Sequence, residues 1–561
     1  MAILHSISIK NFRGIEKFEQ RFENGLTCII GRGDSGKSTV LDAITYVLSS
    51  RWNISFYDSD FYGCKIDTPI EIEATLKKLP ESLLARFKMY VRGIRNGTII
   101  DDMEIDDALD AEHAISIRLT VTKELEPKWE VVSYRGQDPA NISATERAKL
   151  NTFTISDYSD KHFSLNKGNP LYTLHQRLEA KVGNEENIIL NILRMAKKDI
   201  DNGISTKFEN VINRVKEVSS KLGISTSSLQ ATVDHRDISI KENNVCLHEE
   251  DIPLRLKGKG TKKIISLAIQ IAVANPDGII LIDEIEHGLE PDRVKHIVKT
   301  IKDYTEFQVF FTTHSSNVIV ELTTINLFIM KNGEKTLLSI KPELQGCIRK
   351  NPEVFFAKRI IVCEGATEIG ICRALDSYLK SKGENSFAYL GIVLADGTGS
   401  NMIKYAEGFK SLGFDVCLFC DSDDLTTNNQ KKQLDVDEII ECQSGHAIEQ
   451  QLFADLPWEL VVEMIDYRIT QDFVESRSIF DNIYSNQNHK PIFSNDWYKE
   501  ESSNLRDLFG VIAKKKEWYK RIDHGEKLGE ILFNEFESLD DNKQIKQMFQ
   551  KLINWIKKQN A

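Results

Sequence analysis

Two groups of residues in this 561-residue chain have the types and spacing to do chemistry on phosphate. The first begins with GRGDSGKST, Gly31–Thr39, which fits G-x-x-x-x-G-K-[ST]. Its glycines let backbone N–H groups curl around phosphate oxygens, where side chains would block the approach. Gly31, Gly33, Asp34, Ser35, Gly36, Lys37, Ser38 and Thr39 are therefore expected to bind nucleotide. Lys37 reaches the β and γ phosphates in this reading, and Ser38 holds Mg²⁺. The run GIILIDEIEHGLEP, Gly278–Pro291, supplies the complement: four apolar residues ending in Asp283 and Glu284. Asp283 is expected in the Mg²⁺ shell, and Glu284 is expected to polarise an attacking water. In FQVFFTTHSSN, His314 closes another apolar strand and is read as a γ-phosphate sensor.

The second group is acidic. RIIVCEGATEIG places Glu364 at the end of an apolar strand and Glu368 at the start of a helix. LGIVLADGTGSN and DVCLFCDSDD are two further apolar strands, the latter ending in Asp421 and Asp423. Residues two apart on a strand share a face, and strand ends in an open parallel sheet share an edge. Glu364, Glu368, Asp421 and Asp423 are thus expected to meet. Such like charges need neutralising, and hard divalent cations with oxygen ligands do this. The chemistry that follows is phosphodiester cleavage, with Mg²⁺ or Mn²⁺ activating water and holding the scissile phosphate.

These residues need strands and helices to hold them. ILHSISIKNF alternates apolar and polar residues, as a half-buried strand does, and LTCII leads into the glycine loop. Short alternating segments from about Pro69 to Tyr134 predict an antiparallel sheet. LHQRLEAKV, ILNILRMAKKDI and FENVINRVKEVSSKL have helical spacing and predict a helical insertion, without the sustained heptads of a coiled coil. Strand–helix alternation then returns, Pro342–Phe356 reads as a linker, a second α/β unit starts at Arg359, and a helical, Lys-rich tail follows. The expected segments are 1–164 and 232–345 for the first α/β unit, 165–231 for the insertion and 353–561 for the second unit with its tail.

The 41% hydrophobic and 28% charged residues indicate folded soluble protein. No apolar run approaches the ~18 residues of a membrane span. The N-terminus lacks a signal layout, and nine cysteines are sparse, so a cytoplasmic protein without disulfides is expected. A net charge of −12 argues against coating nucleic acid through bulk positive charge, though not against local basic patches.

In order, NFRG, GRGDSGKST, LIDEIEHGLEP and TTHS resemble the ABC-type ATPases of the recombination and chromosome-maintenance group. That resemblance implies that Arg13 reaches the nucleotide and that Glu290 and its neighbours form a loop across a dimer. It also implies a Ser-Gly-Gly signature before KKIISLAIQIA, where this chain has LKGKGTKK with Gly258 and Gly260 but no Ser. Tyr57–Asp60 is the nearest match to the family's Gln-bearing loop. E-G-x-x-E followed by D-x-D resembles a TOPRIM domain. Together the two resemble the OLD (overcoming lysogenization defect) family nucleases, the group that includes the Gabija nuclease subunit. The fold implied is α/β: an ABC-type ATPase domain with a helical dimerisation insertion, then a TOPRIM domain with a C-terminal helical region. The activity implied is an ATP-regulated, divalent-metal-dependent DNA endonuclease of anti-phage defence or DNA processing. Glu364, Glu368, Asp421 and Asp423 become metal ligands, with Glu364 or Glu368 a general base. Glu449 becomes a further ligand, and Lys520, with Lys527 in reserve, the lysine at the cleavage site. ATP, Mg²⁺ or Mn²⁺, DNA, a homo-oligomer (dimer or tetramer) and a separately encoded helicase-like protein are the implied cofactors and partners.

The alternative is a non-nucleolytic RecF-like DNA-repair ATPase with a C-terminal binding module. A topoisomerase would need a nucleophilic Tyr in a separate domain, and a primase would polymerise nucleotides. Cys417, Cys420, Cys442 and His446 have a zinc-like spacing but are read as core residues, because positions three apart on a strand face opposite sides. Lys514–Lys516 and the KLINWIKKQ ending, with Trp518 or Trp555, are read equally as DNA contacts or as a solvated helix face.

Overall fold

The computed structural model describes residues 2–23, 25–100, 111–155, 160–165, 169–179, 207–226, 228–233, 245–274, 278–303, 307–471, 498–501 and 503–558. The chain forms two compact units, Met1–Ser339 and Ile340–Ala561.

In the first unit, Ile3–Phe12 pairs antiparallel with Ile15–Arg21 on one side and Ile70–Lys77 on the other. Glu112–Val121 continues this sheet beyond Ile70–Lys77. The alternation in ILHSISIKNF buries Ile3, Ile7 and Ile9 and leaves Lys10 exposed. A second sheet has the order Thr152–Ile155, Ile279–Ile282, Gln308–Thr312, Leu26–Ile30, Leu327–Ile329, Leu338–Ser339. Its first five strands run parallel. Ile279–Ile282 and Gln308–Thr312 are buried throughout, as unbroken apolar runs in a covered parallel sheet must be. Parallel register carries the loops after Leu26–Ile30, Ile279–Ile282 and Gln308–Thr312 to one edge.

Within the expected insertion, the described helices are Pro170–Glu179 and Glu209–Lys221. Both pack on the helix Lys259–Ala274. The segment ILNILRMAKKDI lies outside the described residues.

The second unit carries a four-stranded parallel sheet, Ile392–Asp396, Arg359–Cys363, Asp415–Cys420, Glu438–Glu441. Helix Ala366–Ser381 crosses Ile522–Asn534 at very close range. A methyl group on Gly370 would strike the Ile522 carbonyl, and one on Gly525 the Thr367 carbonyl. Glycine at both positions is what lets the tail lie on the helix that carries Glu368. The expected linker is instead packed structure. Pro342–Leu344, Gln345–Lys350 and Pro352–Phe356 are helical turns that bury Leu344, Ile348, Val354 and Phe355. Apolar residues at short helical spacing outweigh the two prolines, each of which opens a turn, where its missing N–H costs nothing.

Candidate nucleotide cleft and carboxylate site

The glycine loop closes Leu26–Ile30 and opens the helix Lys37–Leu48. Gly36 is left-handed (φ 97°), and a side chain on Gly31 would run into the Met330 carbonyl, so the loop needs glycine at both. Lys37 is 4% exposed. Its ammonium donates to the carbonyls of Gly31 (3.0 Å) and Arg32 (2.6 Å), which hold it under the loop. Burial lowers its pKa, against the opposing pull of Asp283, Glu284 and Asp34. Ser38 Oγ donates to Asp283 Oδ1 (3.0 Å), so the two expected Mg²⁺-shell residues face one another across 245 residues of sequence. Thr312 Oγ1 also donates to Asp283 Oδ1 (2.5 Å) and accepts from the Glu284 N–H (2.8 Å).

Glu284 is itself left-handed (φ 44°), a conformation non-glycine residues adopt only where surroundings enforce it. Lys263 donates to its carbonyl. An open cleft of about 570 Å³ is lined by Gly33–Thr39, Glu284 and His314, among others. The His314 N–H donates to Glu286 Oε1 (2.6 Å), which fixes its backbone at the cleft wall.

Arg13, which the resemblance brings to the nucleotide, has other partners within the chain. Arg13 is clamped by Asp60 Oδ1 (2.8 Å), Asp42 and Tyr46 OH (3.1 Å) and is not among the residues lining the cleft. Two carboxylates on neighbouring elements capture its planar fork, and Asp60 of the Tyr57–Asp60 stretch is spent on that clamp. Gly260 lies against the Gly288 carbonyl of its own chain, where a Cβ would stand 2.6 Å away. A side chain there would collide with that carbonyl.

The carboxylate site lies at the C-terminal edge of the second unit's sheet. Glu364 follows Arg359–Cys363, and its Oε2 accepts the Asp421 N–H (2.9 Å). Glu368 sits in the first turn of Ala366–Ser381, where Oε2 accepts the Gly365 N–H (2.9 Å). Asp421 Oδ1 accepts the Ile448 N–H (2.7 Å), which ties it to the start of the helix that carries Glu449. The strand ends at Cys420, so Asp421 and Asp423 lie in the following loop and the shared-face argument does not apply to them. Asp421 turns inward, while Asp423 pairs with Lys514 (2.5 Å).

Glu449 is fully buried, and Glu368 is 2% exposed. Neither Glu449 oxygen, nor Glu368 Oε1, has a hydrogen-bond partner. The cation facing Glu449 is Lys520, at 3.5 Å, beyond a strong hydrogen bond. Burial, reinforced by Glu449, pushes the Glu368 carboxyl up to about 7. Burial, with Glu368, Glu364 and Glu449, pushes Asp421 up to about 9. Burial opposes the Lys520 ammonium, but Glu449, Glu368 and Asp421 outweigh it and raise its pKa. Glu364 is raised too, by burial first.

Among the described residues, no three Asp, Glu, His or Cys side chains already stand at ion-holding distance. The chemistry of the donors nevertheless fits a hard divalent ion. Buried carboxylate oxygens without partners are costly, and a cation among them removes the cost. Glu364, Glu368, Asp421 and Glu449 are the residues that would hold it. Lys520 joins them. Lys527 faces Glu463 (3.7 Å) and Glu530 (3.5 Å) instead.

Sequence reasoning missed Lys431. Its side chain is 2% exposed, and Nζ reaches Glu441 Oε2 (2.8 Å) and the Asp421 carbonyl (2.7 Å). Nothing in NNQKKQ distinguishes it from Lys432. Cys417, Cys420 and Cys442 are buried free thiols, raised by burial, as the core reading expects. Trp518 and Trp555 are core residues, 2% and 5% exposed, and present no face to a base.

Residues 26–321 match the family described as "AAA domain, putative AbiEii toxin, Type IV TA system". Residues 355–423 match "Overcoming lysogenization defect protein-like, TOPRIM domain". The chain is similar to the Retron Vc95 probable ATPase of Vibrio cholerae, 23% identical over 397 residues, 60% of this chain and 75% of that protein. It is 23% identical to an ATP/GTP phosphatase of Helicobacter pylori over 348 residues, 56% of this chain and 86% of that protein. The DNA replication and repair protein RecF of Streptococcus gordonii is 20% identical over 369 residues, 59% of this chain and 99% of that protein. Among the described residues no helix is long and apolar enough to cross a membrane.

Proposed function

The chain belongs to that AAA-domain family, joined to an OLD-like TOPRIM domain in the manner of the OLD-type ATPase–TOPRIM fusions, and from there we propose that it is an ATP-regulated, divalent-metal-dependent DNA endonuclease. The observation that carries this reading is Glu449: a fully buried carboxylate whose oxygens accept no hydrogen bond and which faces one cation, Lys520 at 3.5 Å, in the company of Glu368 and Asp421. A binding module has no need of such a cluster. Bound Mg²⁺ or Mn²⁺ supplies an activated water and a Lewis acid for the scissile phosphate.

The chain's own residues do the rest. Glu364, Asp421 and Glu449 hold the ion, and Asp421 is fixed by the Ile448 N–H. Glu368 is placed to hold the ion or to take the proton from water. Lys520 neutralises the charge that develops on the phosphate and its leaving oxygen. In the first unit, Lys37 and the loop Gly31–Thr39 hold the ATP phosphates, Ser38 and Asp283 hold Mg²⁺, Glu284 orients water, and His314 senses the γ phosphate. Nucleotide sites of this kind are completed between subunits, so the active species is a homo-oligomer, dimer or tetramer, with the insertion 165–231 as its dimerisation element. The role is anti-phage defence or DNA processing, with a helicase-like protein as a candidate partner.

The similarity to RecF favours a second reading, a DNA-repair ATPase that binds DNA without cutting it. Supercoiled plasmid separates the two. With Mn²⁺ or Mg²⁺ the purified chain is expected to produce nicked or linear DNA, ATP is expected to change the rate, and EDTA is expected to stop it. Plasmid retained intact but bound, at every metal and nucleotide condition, supports the RecF-like reading instead.

A further inference from the structure

The helix Ser503–Lys515 lies close against Ile448–Asp455, the helix that carries Glu449. At Gly510 a Cβ would stand 3.1 Å from Gln450 Cα. Lys514 is one helical turn further on, on the same face. That places its ammonium on Asp423 Oδ2 at 2.5 Å. The helix then stops: Glu517 is left-handed (φ 52°), and the Trp518 N–H donates back to the Ala513 carbonyl (3.0 Å). Trp518 and Tyr519 are buried. Tyr519 OH donates to the Met464 carbonyl (2.9 Å), and Thr367 Oγ1 donates to the Tyr519 carbonyl (2.9 Å), next to Glu368. The chain emerges with Lys520 facing Glu449. One anchored turn therefore delivers two lysines to two different carboxylates of one site.

The two lysines differ. Lys520 faces Glu449, which is fully buried, and feels Glu368 and Asp421 as well. Lys514 sits at the rim on a partly exposed carboxylate, with Lys515 and Lys516 exposed beside it. The ammonium 2.5 Å from Asp423 Oδ2 takes up that oxygen and neutralises the carboxylate's charge, so Asp423 is a poorer ligand for a second cation while the pair is closed. We propose that Lys514 is a DNA-phosphate-binding residue that blocks Asp423 in the free protein, so that Asp423 becomes a metal ligand only when a DNA phosphate draws Lys514 away. The step is an exchange of ion pairs: Lys514–Asp423 opens, Lys514–phosphate forms, and Asp423 is released to a divalent ion. This inference rests on the nuclease reading of the carboxylate site. Its consequence is that the full set of metal ligands assembles only on substrate.

The test counts ions, and so reads something besides cleavage. Full-length, nucleotide-free protein is titrated with Mn²⁺ in the absence of DNA and followed by electron paramagnetic resonance. Wild type is expected to bind one Mn²⁺ per chain that is lost in Asp421→Ala. Lys514→Met is expected to bind two, and Lys514→Arg, which keeps the ion pair, one. In Ca²⁺, Lys514→Met is also expected to bind duplex DNA more weakly, with the slope of log affinity against log salt reduced by about 1. A Lys514→Met protein that melts like wild type yet still binds one Asp421-dependent Mn²⁺ overturns the role of Lys514 and leaves the nuclease reading standing. Two ions in the wild type without DNA overturn it equally. Mn²⁺ binding that ignores Asp421→Ala overturns the nuclease reading itself, and this inference with it.

Discussion

At the nucleotide cleft, the Lys37 ammonium rests on two backbone carbonyls and Asp283 accepts from Ser38 and Thr312, so the polar groups are partnered within the chain. At the carboxylate site, both oxygens of Glu449 and Oε1 of Glu368 are buried without a hydrogen bond, Lys520 stands 3.5 Å from Glu449, and Asp421 is pushed up to about 9 by burial and its acidic neighbours. The cleft is a preformed mould for an anion. The basin is a set of anions short of cations. A mould can be emptied and refilled at little cost, which suits a ligand that regulates. Carboxylates left in want of charge bind a divalent ion strongly and hold it where chemistry is needed.

Substitutions can break this contrast from either side. The largest effect is expected from Asp421→Ala: metal-dependent plasmid cleavage falls by about 10³-fold or more, while ATP turnover is unchanged, measured side by side on one preparation. Lys37→Ala is expected to act the other way. It removes ATP binding and turnover, leaves the Mn²⁺ bound at the carboxylates, and alters only the response of cleavage to ATP. Gly525→Ala tests the helix crossing beneath the basin. Its methyl group meets the Thr367 carbonyl, so thermal unfolding should report a loss of about 1–3 kcal/mol, with weaker cleavage as Lys520 shifts.

The smallest effect is one of pH. Because Glu368 and Asp421 are raised, to about 7 and about 9, protons compete with the ion, and Mn²⁺ affinity should rise as pH passes through that window. In metal-free protein the sign reverses. The stability that the protonated forms contribute is full below the ordinary carboxylate range and is lost as pH rises from there through the raised values. Added Mn²⁺ should therefore raise the melting temperature more at pH 8 than at pH 6.

The two sites also differed in how far they could be read in advance. The cleft is written in contiguous runs, because a loop that wraps phosphate must be local, and the strands on either side announce themselves as apolar. Glu364 and Glu368 are legible for a similar reason, since each opens or closes a regular element, whereas Glu449 rests on the family resemblance alone. Asp423 was legible as an acid but not in its orientation, because it lies past the end of its strand and a lysine 91 residues later decides where it points. Lys431 was invisible, since burial of one lysine in a pair is a tertiary fact. Arg13 was assigned by resemblance and is held by acids of this chain, Asp42 and Asp60. Trp518 and Trp555 neighbour lysines in the sequence, which is why DNA contact and a solvated helix face read equally there. The amphipathic period of Gln544–Lys557, which buries Phe549, Leu552 and Trp555 on one face, is the signal that places Trp555 inside.

The most direct test of the central claim is anomalous diffraction from crystals of the full chain soaked in Mn²⁺. A Mn²⁺ peak is expected about 2.1 Å from carboxylate oxygens of Glu364, Asp421 and Glu449. A map that shows Mn²⁺ elsewhere, with those three carboxylates unligated, contradicts the account.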